Sequence, residues 1–274
     1  MLSALPPYRM CGVPRENARM TATSRAHSFN AAAARYGANR PSYPPALLDT
    51  VEELSGRPLA GSRVADVGAG TGIATALLRE RGADVIAVEP GDGMAAEFTR
   101  QLPGVPIVRG DGNALPLADA SRDLLTYAQS WHWTDPDRSV PEALRVLRPD
   151  GALAVWWNIG DTDVPWIGAQ KNRIARHCGV TPPAAERPDD SRAARLAGLG
   201  RPGLRFARRR LRWTRTVPLE THLANVTSHS AFLVLGEAAT RAFLAEERTR
   251  LRELFPDGAV AEAYLVDLLV ATRS

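Results

Sequence analysis

The chain has 274 residues, 45% of them hydrophobic and 23% charged, with a formal charge of +4, which suits one large globular domain and excludes a charge-rich disordered chain. No apolar run approaches the roughly 20 residues that a membrane-spanning helix needs. Cys11 and Cys178 are too few for a disulfide framework and too far apart for a metal pair, so a reduced, cytoplasmic protein is expected.

Residues 1–25 carry Pro6, Pro7 and Pro14 and lack the continuous apolar core of a signal peptide, so a poorly ordered tail is expected there. NAAAARY (30–36) predicts a short helix, RPSYPP (40–45) an extended bend, and ALLDTVEEL an amphipathic helix. From 63 to 158, strands at Arg63–Val67, Asp84–Val88, Pro106–Val108, Leu124–Ala128 and Ala152–Trp157 alternate with helices at Ile73–Arg81, Gly93–Gln101 and Ser139–Val146. That alternation predicts an α/β fold, a doubly wound, Rossmann-like and mostly parallel sheet. The turn RPDG (148–151) separates the last helix from the last strand.

After Asn158 the composition shifts to proline, arginine and aspartate. Residues 159–205 read as an insertion that caps the strand ends, with one helix near Trp166–His177. Residues 206–274 return to regular structure, with strands at Leu211–Val217 and Ala263–Thr272 and helices at Leu219–Leu235 and Glu237–Leu254. The two strands are expected as an antiparallel pair on one sheet edge. The basic run ARRRLRWTR (207–215) alternates as a half-buried strand does, with Leu211 and Trp213 inward and arginines toward water; a nucleic-acid surface is the competing reading.

VADVGAGTGIAT (64–75) joins a strand to a helix through Gly68, Gly70 and Gly72, with Thr71 at the helix mouth. Dinucleotide sites use G-x-G-x-x-G at such a junction, but Ile73 stands where the third glycine belongs. Glu89 ends the second strand about 20 residues on, where a ribose diol would be gripped. Asp111, in RGDGNALPL (109–117), follows the third strand, where its carboxylate would accept from an adenine amine while the backbone of Gly112 and Asn113 reads the ring edge. Met94 is placed to cover one ring face or to serve as ordinary core.

Together VADVGAGTGIAT, VIAVEPGDGM and GDGNALPL resemble the first three motifs of class I S-adenosylmethionine-dependent methyltransferases. AARYGANRPSYP, AQSWHWTDP and LRPDG resemble segments of a small-molecule branch of that family, so the likeness covers residues 30–158 well and the remainder loosely. It implies S-adenosyl-L-methionine as cofactor, S-adenosyl-L-homocysteine as product, and methyl transfer to oxygen, carbon or nitrogen of a small molecule. It also implies one domain over 26–274: a lid at 26–55, a cofactor-binding core at 63–158, the cap at 159–205 and C-terminal elements at 206–274. Asp66 would steady the glycine loop, Pro90 would follow the ribose acid, and Gln129 and Ser130 would line the methionine portion. Tyr36, Arg40 and Tyr43 would close the lid over the cofactor, with core packing the alternative for both tyrosines.

Methyl transfer is an in-line displacement, and a nucleophile that starts protonated also needs a base. His132 is the candidate base; the alternative is that it only bonds its own loop. Trp131, Trp133, Trp157 and Trp166 follow the fourth or fifth strand, where aromatic walls suit an apolar or planar substrate. His222 and His229 share one helix face; core or surface is the preferred reading, with the pocket as the alternative. No histidine–carboxylate spacing suggests a metal, and neither nucleic acid nor membrane is expected as a partner. Three other readings stay open: a cofactor-binding fold with another reaction or none, a nicotinamide-dependent oxidoreductase, and a nucleic-acid methyltransferase.

Overall fold

A computed structural model describes residues 40–179, 196, 203–228, 232 and 235–273. The expected N-terminal tail, the 30–36 helix, Tyr36, Cys11, His229 and most of the segment between 180 and 202 lie outside the described residues.

The first element, α1 (Pro45–Ser55), begins on a proline and ends where Gly56 turns left-handed at φ 66° and returns its N–H to the carbonyls of Glu52 and Glu53. Proline at the start costs no helical hydrogen bond, and glycine takes the positive φ without a Cβ penalty. Then follow β1 (Arg63–Val67), α2 (Ile73–Glu80), β2 (Asp84–Glu89), α3 (Asp92–Gln101), β3 (Ile107–Arg109) and β4 (Arg122–Ala128). A single 3-10 turn at Trp131–Trp133 leads into α4 (Pro136–Val146), capped by the Asp135 carboxylate accepting from the N–H of Asp137. The chain continues through β5 (Leu147–Gly160), α5 (Pro165–His177), β6 (Leu204–Pro218), α6 (Leu219–Thr227), α7 (Glu237–Leu254) and β7 (Ala259–Arg273).

Among the described residues seven strands form one sheet in the order β3-β2-β1-β4-β5-β7-β6. The first five pair in parallel, while β7 runs antiparallel to both β5 and β6. The expected antiparallel pair is therefore present, and both strands are longer than the sequence suggested. The RPDG segment falls inside β5 rather than before it, and the helix expected at Leu219–Leu235 stops at Thr227.

Alternation sends the two faces of each strand into separate cores. Ala65, Leu125, Leu153, Val155 and Leu269 meet Val140, Ala143 and Val146 of α4 on one face. Val64, Leu124, Ala152, Ala154 and Leu268 meet Leu47, Leu48 and Val51 of α1 and Ala74 and Leu78 of α2 on the other. A sheet covered on both sides must be apolar on both sides, which is why these strands read as continuous hydrophobic runs. Strand order reverses between β1 and β4, and open α/β sheets bind ligands in the crevice at such a point.

Candidate active site

Beyond the carboxyl ends of β1, β2, β4 and β5 lies a cavity of about 740 Å3, within the range of small-ligand sites. Its floor is the loop after β1. Gly68 adopts φ 68°, and a Cβ there would sit 2.5 Å from Cβ of Ser130. Gly70, at φ 59°, faces open space, with nothing within 4 Å of where its Cβ would be. The backbone is thus bare at Gly70 and packed at Gly68. Gly72 is packed too, with Leu102 and Phe98 filling the place of a side chain, and it does not line the cavity.

Two buried acids hold this loop. Asp66 is turned away from the cavity and accepts from the hydroxyls of Thr75 at 2.6 Å and Thr126 at 2.9 Å. Burial pushes its carboxyl above the usual carboxylate range against those hydrogen bonds. Glu89 accepts from the N–H of Gly91 at 2.8 Å through Oε1 and from Gly70 at 2.9 Å through Oε2. Burial raises Glu89 as well, opposed by those two N–H groups and by the charge of Arg109. Thr71 also lines the cavity, and its buried hydroxyl oxygen has no hydrogen-bond partner.

Pro90, Met94, Asp111, Gly112 and Asn113 complete this half. Met94 is buried and borders the cavity. Asp111 is exposed and accepts from the N–H of Asn113 at 2.6 Å, while the Asn113 carbonyl oxygen accepts from the N–H of Asp135 at 2.7 Å. At the tip of β4, Gln129 takes φ 62°, uncommon for a residue with a side chain. Its N–H bonds to the Trp156 carbonyl at 2.9 Å and its side-chain amide donates to the Asn158 carbonyl at 3.1 Å. Ser130 donates to the Val67 carbonyl at 2.5 Å.

The segment before α1 covers part of the cavity through Arg40 and Tyr43. A guanidinium nitrogen of Arg40 reaches the Ser228 carbonyl at 3.5 Å, and Tyr43 meets Trp156 edge-on at 5.8 Å between centroids. The four expected wall tryptophans divide. Trp133, Trp157 and Trp166 line the cavity. Trp131 does not: it is buried in the core, edge-on to Tyr127 at 4.6 Å. One turn of 3-10 helix points neighbouring side chains in different directions, which spacing alone does not reveal. His132 is exposed on the cavity side, and its Nδ1 accepts from the Trp157 indole N–H at 3.3 Å.

The far half of the cavity holds polar residues of which the sequence reading raises only His222, as an alternative. His222, far from a passive core residue, places Nδ1 2.6 Å from Glu262 and Nε2 2.9 Å from the amide nitrogen of Gln170. Gln170 also donates to Glu247 at 3.0 Å. Glu262 further accepts from Tyr264 at 2.8 Å and Arg215 at 2.5 Å. Burial pushes the Glu262 carboxyl up, but the hydrogen bonds from His222, Tyr264 and Arg215 outweigh it and hold the group below its ordinary value. Asn225 donates its amide N–H to Tyr264 at 3.2 Å, and its buried carbonyl oxygen has no partner. An unmet buried acceptor costs about 1–3 kcal/mol. The signal available in sequence was charge in an apolar strand: β7 carries Glu262 and Asp267 among Val, Leu and Ala.

The basic strand is more neutralised than expected. Arg208 pairs with Asp267 at 2.7 Å, Arg212 with Asp161 at 2.9 Å, Arg215 with Glu262, and Arg209 with Glu53 at 3.3 Å. Arg208 and Arg215 are half-buried against carboxylates, whereas Arg209 and Arg212 face water as expected while also pairing with acids. Among the described residues no group of histidines, cysteines and acids has metal-binding geometry, and no helix is long and apolar enough to cross a membrane.

Residues 65–155 match the family profile described as a methyltransferase domain. An uncharacterized methyltransferase from Mycobacterium tuberculosis strain H37Rv is 44% identical over 140 residues, covering 51% of this chain and 56% of that protein. A demethylmenaquinone methyltransferase from Beutenbergia cavernae is 40% identical over 107 residues, covering 39% of this chain and 44% of that one. The chain thus spans about half the length of the curated relatives it matches. Among solved structures, one provisionally named a type II methyltransferase from Anaeromyxobacter dehalogenans superposes with a TM-score of 0.62 at 26% identity, covering 85% of this chain and 97% of that one.

Proposed function

We propose that the chain, whose residues 65–155 match a methyltransferase domain, is a class I S-adenosylmethionine-dependent methyltransferase that transfers a methyl group to oxygen, carbon or nitrogen of a small-molecule acceptor. One observation carries the reading. A bare glycine backbone at Gly70, an unpartnered Thr71 hydroxyl, and the acids Glu89 and Asp111 on successive strand tips border the same cavity as an aromatic-walled far half.

These residues fit the cofactor. Gly70 leaves room for the amino-acid end to lie against the backbone, and Thr71 has a hydroxyl to spend on it. Glu89 is occupied by two N–H groups, but each carboxylate oxygen can accept again, so ribose hydroxyls add without displacing them. Asp111 is exposed to receive the adenine amine, with Gly112 and Asn113 at the ring edge and Met94 against one face. Gln129 and Ser130 are anchored through the Asn158 and Val67 carbonyls beside the methionine portion. When bound, S-adenosylmethionine supplies an activated methyl on a sulfonium.

The remaining residues position and exclude. Arg40 and Tyr43 cover the mouth, and Trp133, Trp157 and Trp166 exclude water from the reacting groups. His132 acts here as a donor. The indole N–H can only donate, so it takes the Nδ1 lone pair and leaves the proton of the neutral ring on Nε2. A ring in that tautomer offers the cavity a hydrogen bond and no basic nitrogen. The small-molecule reading is supported by the paired arginines of β6, since phosphate binding would have to break ion pairs already made.

Calorimetric titration with S-adenosylhomocysteine, with a nicotinamide dinucleotide as comparison, tests the cofactor. Micromolar binding of the first alone is expected. Asp111→Ala should lower that affinity about tenfold, roughly 1.4 kcal/mol, without unfolding the protein. Binding of the nicotinamide dinucleotide alone would overturn the reading.

A further inference from the structure

Beyond the cofactor, we propose that the oxygen of Asn225 receives a hydrogen bond from the methyl acceptor, so that the acceptor belongs to the class carrying a hydroxyl or N–H on a planar or apolar body. This rests on reading the cavity as the place of methyl transfer, and it adds what that reading leaves open, the chemistry of the acceptor.

The orientation of the Asn225 amide follows from its neighbours. Glu262 accepts from three sides: His222 through Nδ1, Arg215 through Nε and Tyr264 through its hydroxyl. The Tyr264 proton is therefore committed to Glu262, and the phenolic oxygen is left to accept. It accepts from the amide nitrogen of Asn225. Turning the amide over would set its oxygen against an oxygen with no proton to give. Asn225 is thus held with its N–H₂ on Tyr264 and its oxygen facing elsewhere, with no partner and only 6% of the residue exposed.

What surrounds that oxygen defines the ligand. Asn225 lines the cavity, as do the apolar or aromatic Val226, Ile174 and Trp166 and the polar Gln170, Lys171 and His222. Trp166 is braced edge-on against His222 at 5.5 Å and Phe255 at 5.3 Å. Glu262 already takes three donors, which occupy most of its accepting capacity. An unpartnered acceptor oxygen favours a hydrogen-bond donor and disfavours a carboxylate at that point, whose charge it would repel. A hydroxyl or N–H group placed there also directs the body of the acceptor along the aromatic wall.

The test uses 4-ethylphenol and 4-ethylanisole, equal in shape except for the donor, titrated into the full chain with and without saturating S-adenosylhomocysteine. Methyl resonances of Val226 and Ile174 report the site by NMR. The phenol should bind about three- to tenfold more tightly than the ether, with shifts at both methyls, and Asn225→Leu should erase the preference while leaving affinity for S-adenosylhomocysteine unchanged. Equal affinity of the two probes for the wild-type protein, or shifts that miss Val226 and Ile174, would overturn the assignment even if the variant failed to fold. Failure of S-adenosylhomocysteine to bind would strike the methyltransferase reading instead, because the probe preference is read in its absence as well.

Discussion

The indole N–H of Trp157 donates to Nδ1 of His132 across 3.3 Å, joining the tip of β5 to the 3-10 turn after β4. This bond fits the tautomer that carries its proton on Nε2. Nitrogen-15 shifts of the ring should show a pyridine-type Nδ1 and a protonated Nε2 near neutral pH. Trp157→Phe should release the ring to a mixture of tautomers. A protonated Nδ1 in the wild-type protein would return His132 to the role of base.

The glycines of the first loop should separate by experiment. Gly70→Ala meets no neighbour, so its cost is the left-handed backbone, about 1 kcal/mol. The new methyl would nevertheless occupy the cofactor's approach, and affinity for S-adenosylhomocysteine should fall at least about tenfold. Gly68→Ala drives a methyl into Ser130 and should cost about 3 kcal/mol or more in denaturant unfolding. Loss of stability in Gly70→Ala equal to that in Gly68→Ala would contradict this division.

Asp66 is fully buried and its carboxyl is raised by that burial. For an acid, a raised folded-state value means the native state binds its proton more tightly than the unfolded chain. Stability is then lost as pH rises through that window, and the charge is a burden at neutral pH. Asp66→Asn keeps one acceptor oxygen, and the hydroxyls of Thr75 and Thr126 can rotate to accept from its N–H₂. The melting temperature at pH 7 should rise by a few degrees, and a fall would show that the charge itself organises the loop.

Glu262 behaves oppositely. Its carboxyl is held below the ordinary value, so the stability it contributes is present above the unfolded glutamate value and is lost as pH falls through the lower folded one. Glu262→Gln leaves three donors facing one acceptor oxygen, and removal of one member of a buried charged network costs about 3 kcal/mol. The difference in unfolding free energy between wild type and variant should be greatest near neutral pH and shrink on acidification below the glutamate range. A constant difference would place the contribution in packing rather than charge.

Much of the core and half of the cavity were legible in the sequence because they are local. A glycine loop after a buried strand, an acid at the next tip and another after the third strand meet at one edge whenever the strands run parallel, whatever packs around them. Gly70, Glu89 and Asp111 reach the cavity for that reason. The parallel core and the antiparallel C-terminal pair were likewise written in hydrophobic periodicity. Tertiary structure decided the rest. It inserted β7 between β5 and β6, and so set Glu262 and Tyr264 against His222 and Asn225, residues about forty positions away on another element. It turned Trp131 into the core and Trp133 into the cavity, and it spent the β6 arginines on carboxylates of distant strands and loops. A hydrogen-bond partner depends on position in space, and no local spacing encodes contacts that only the closed sheet creates.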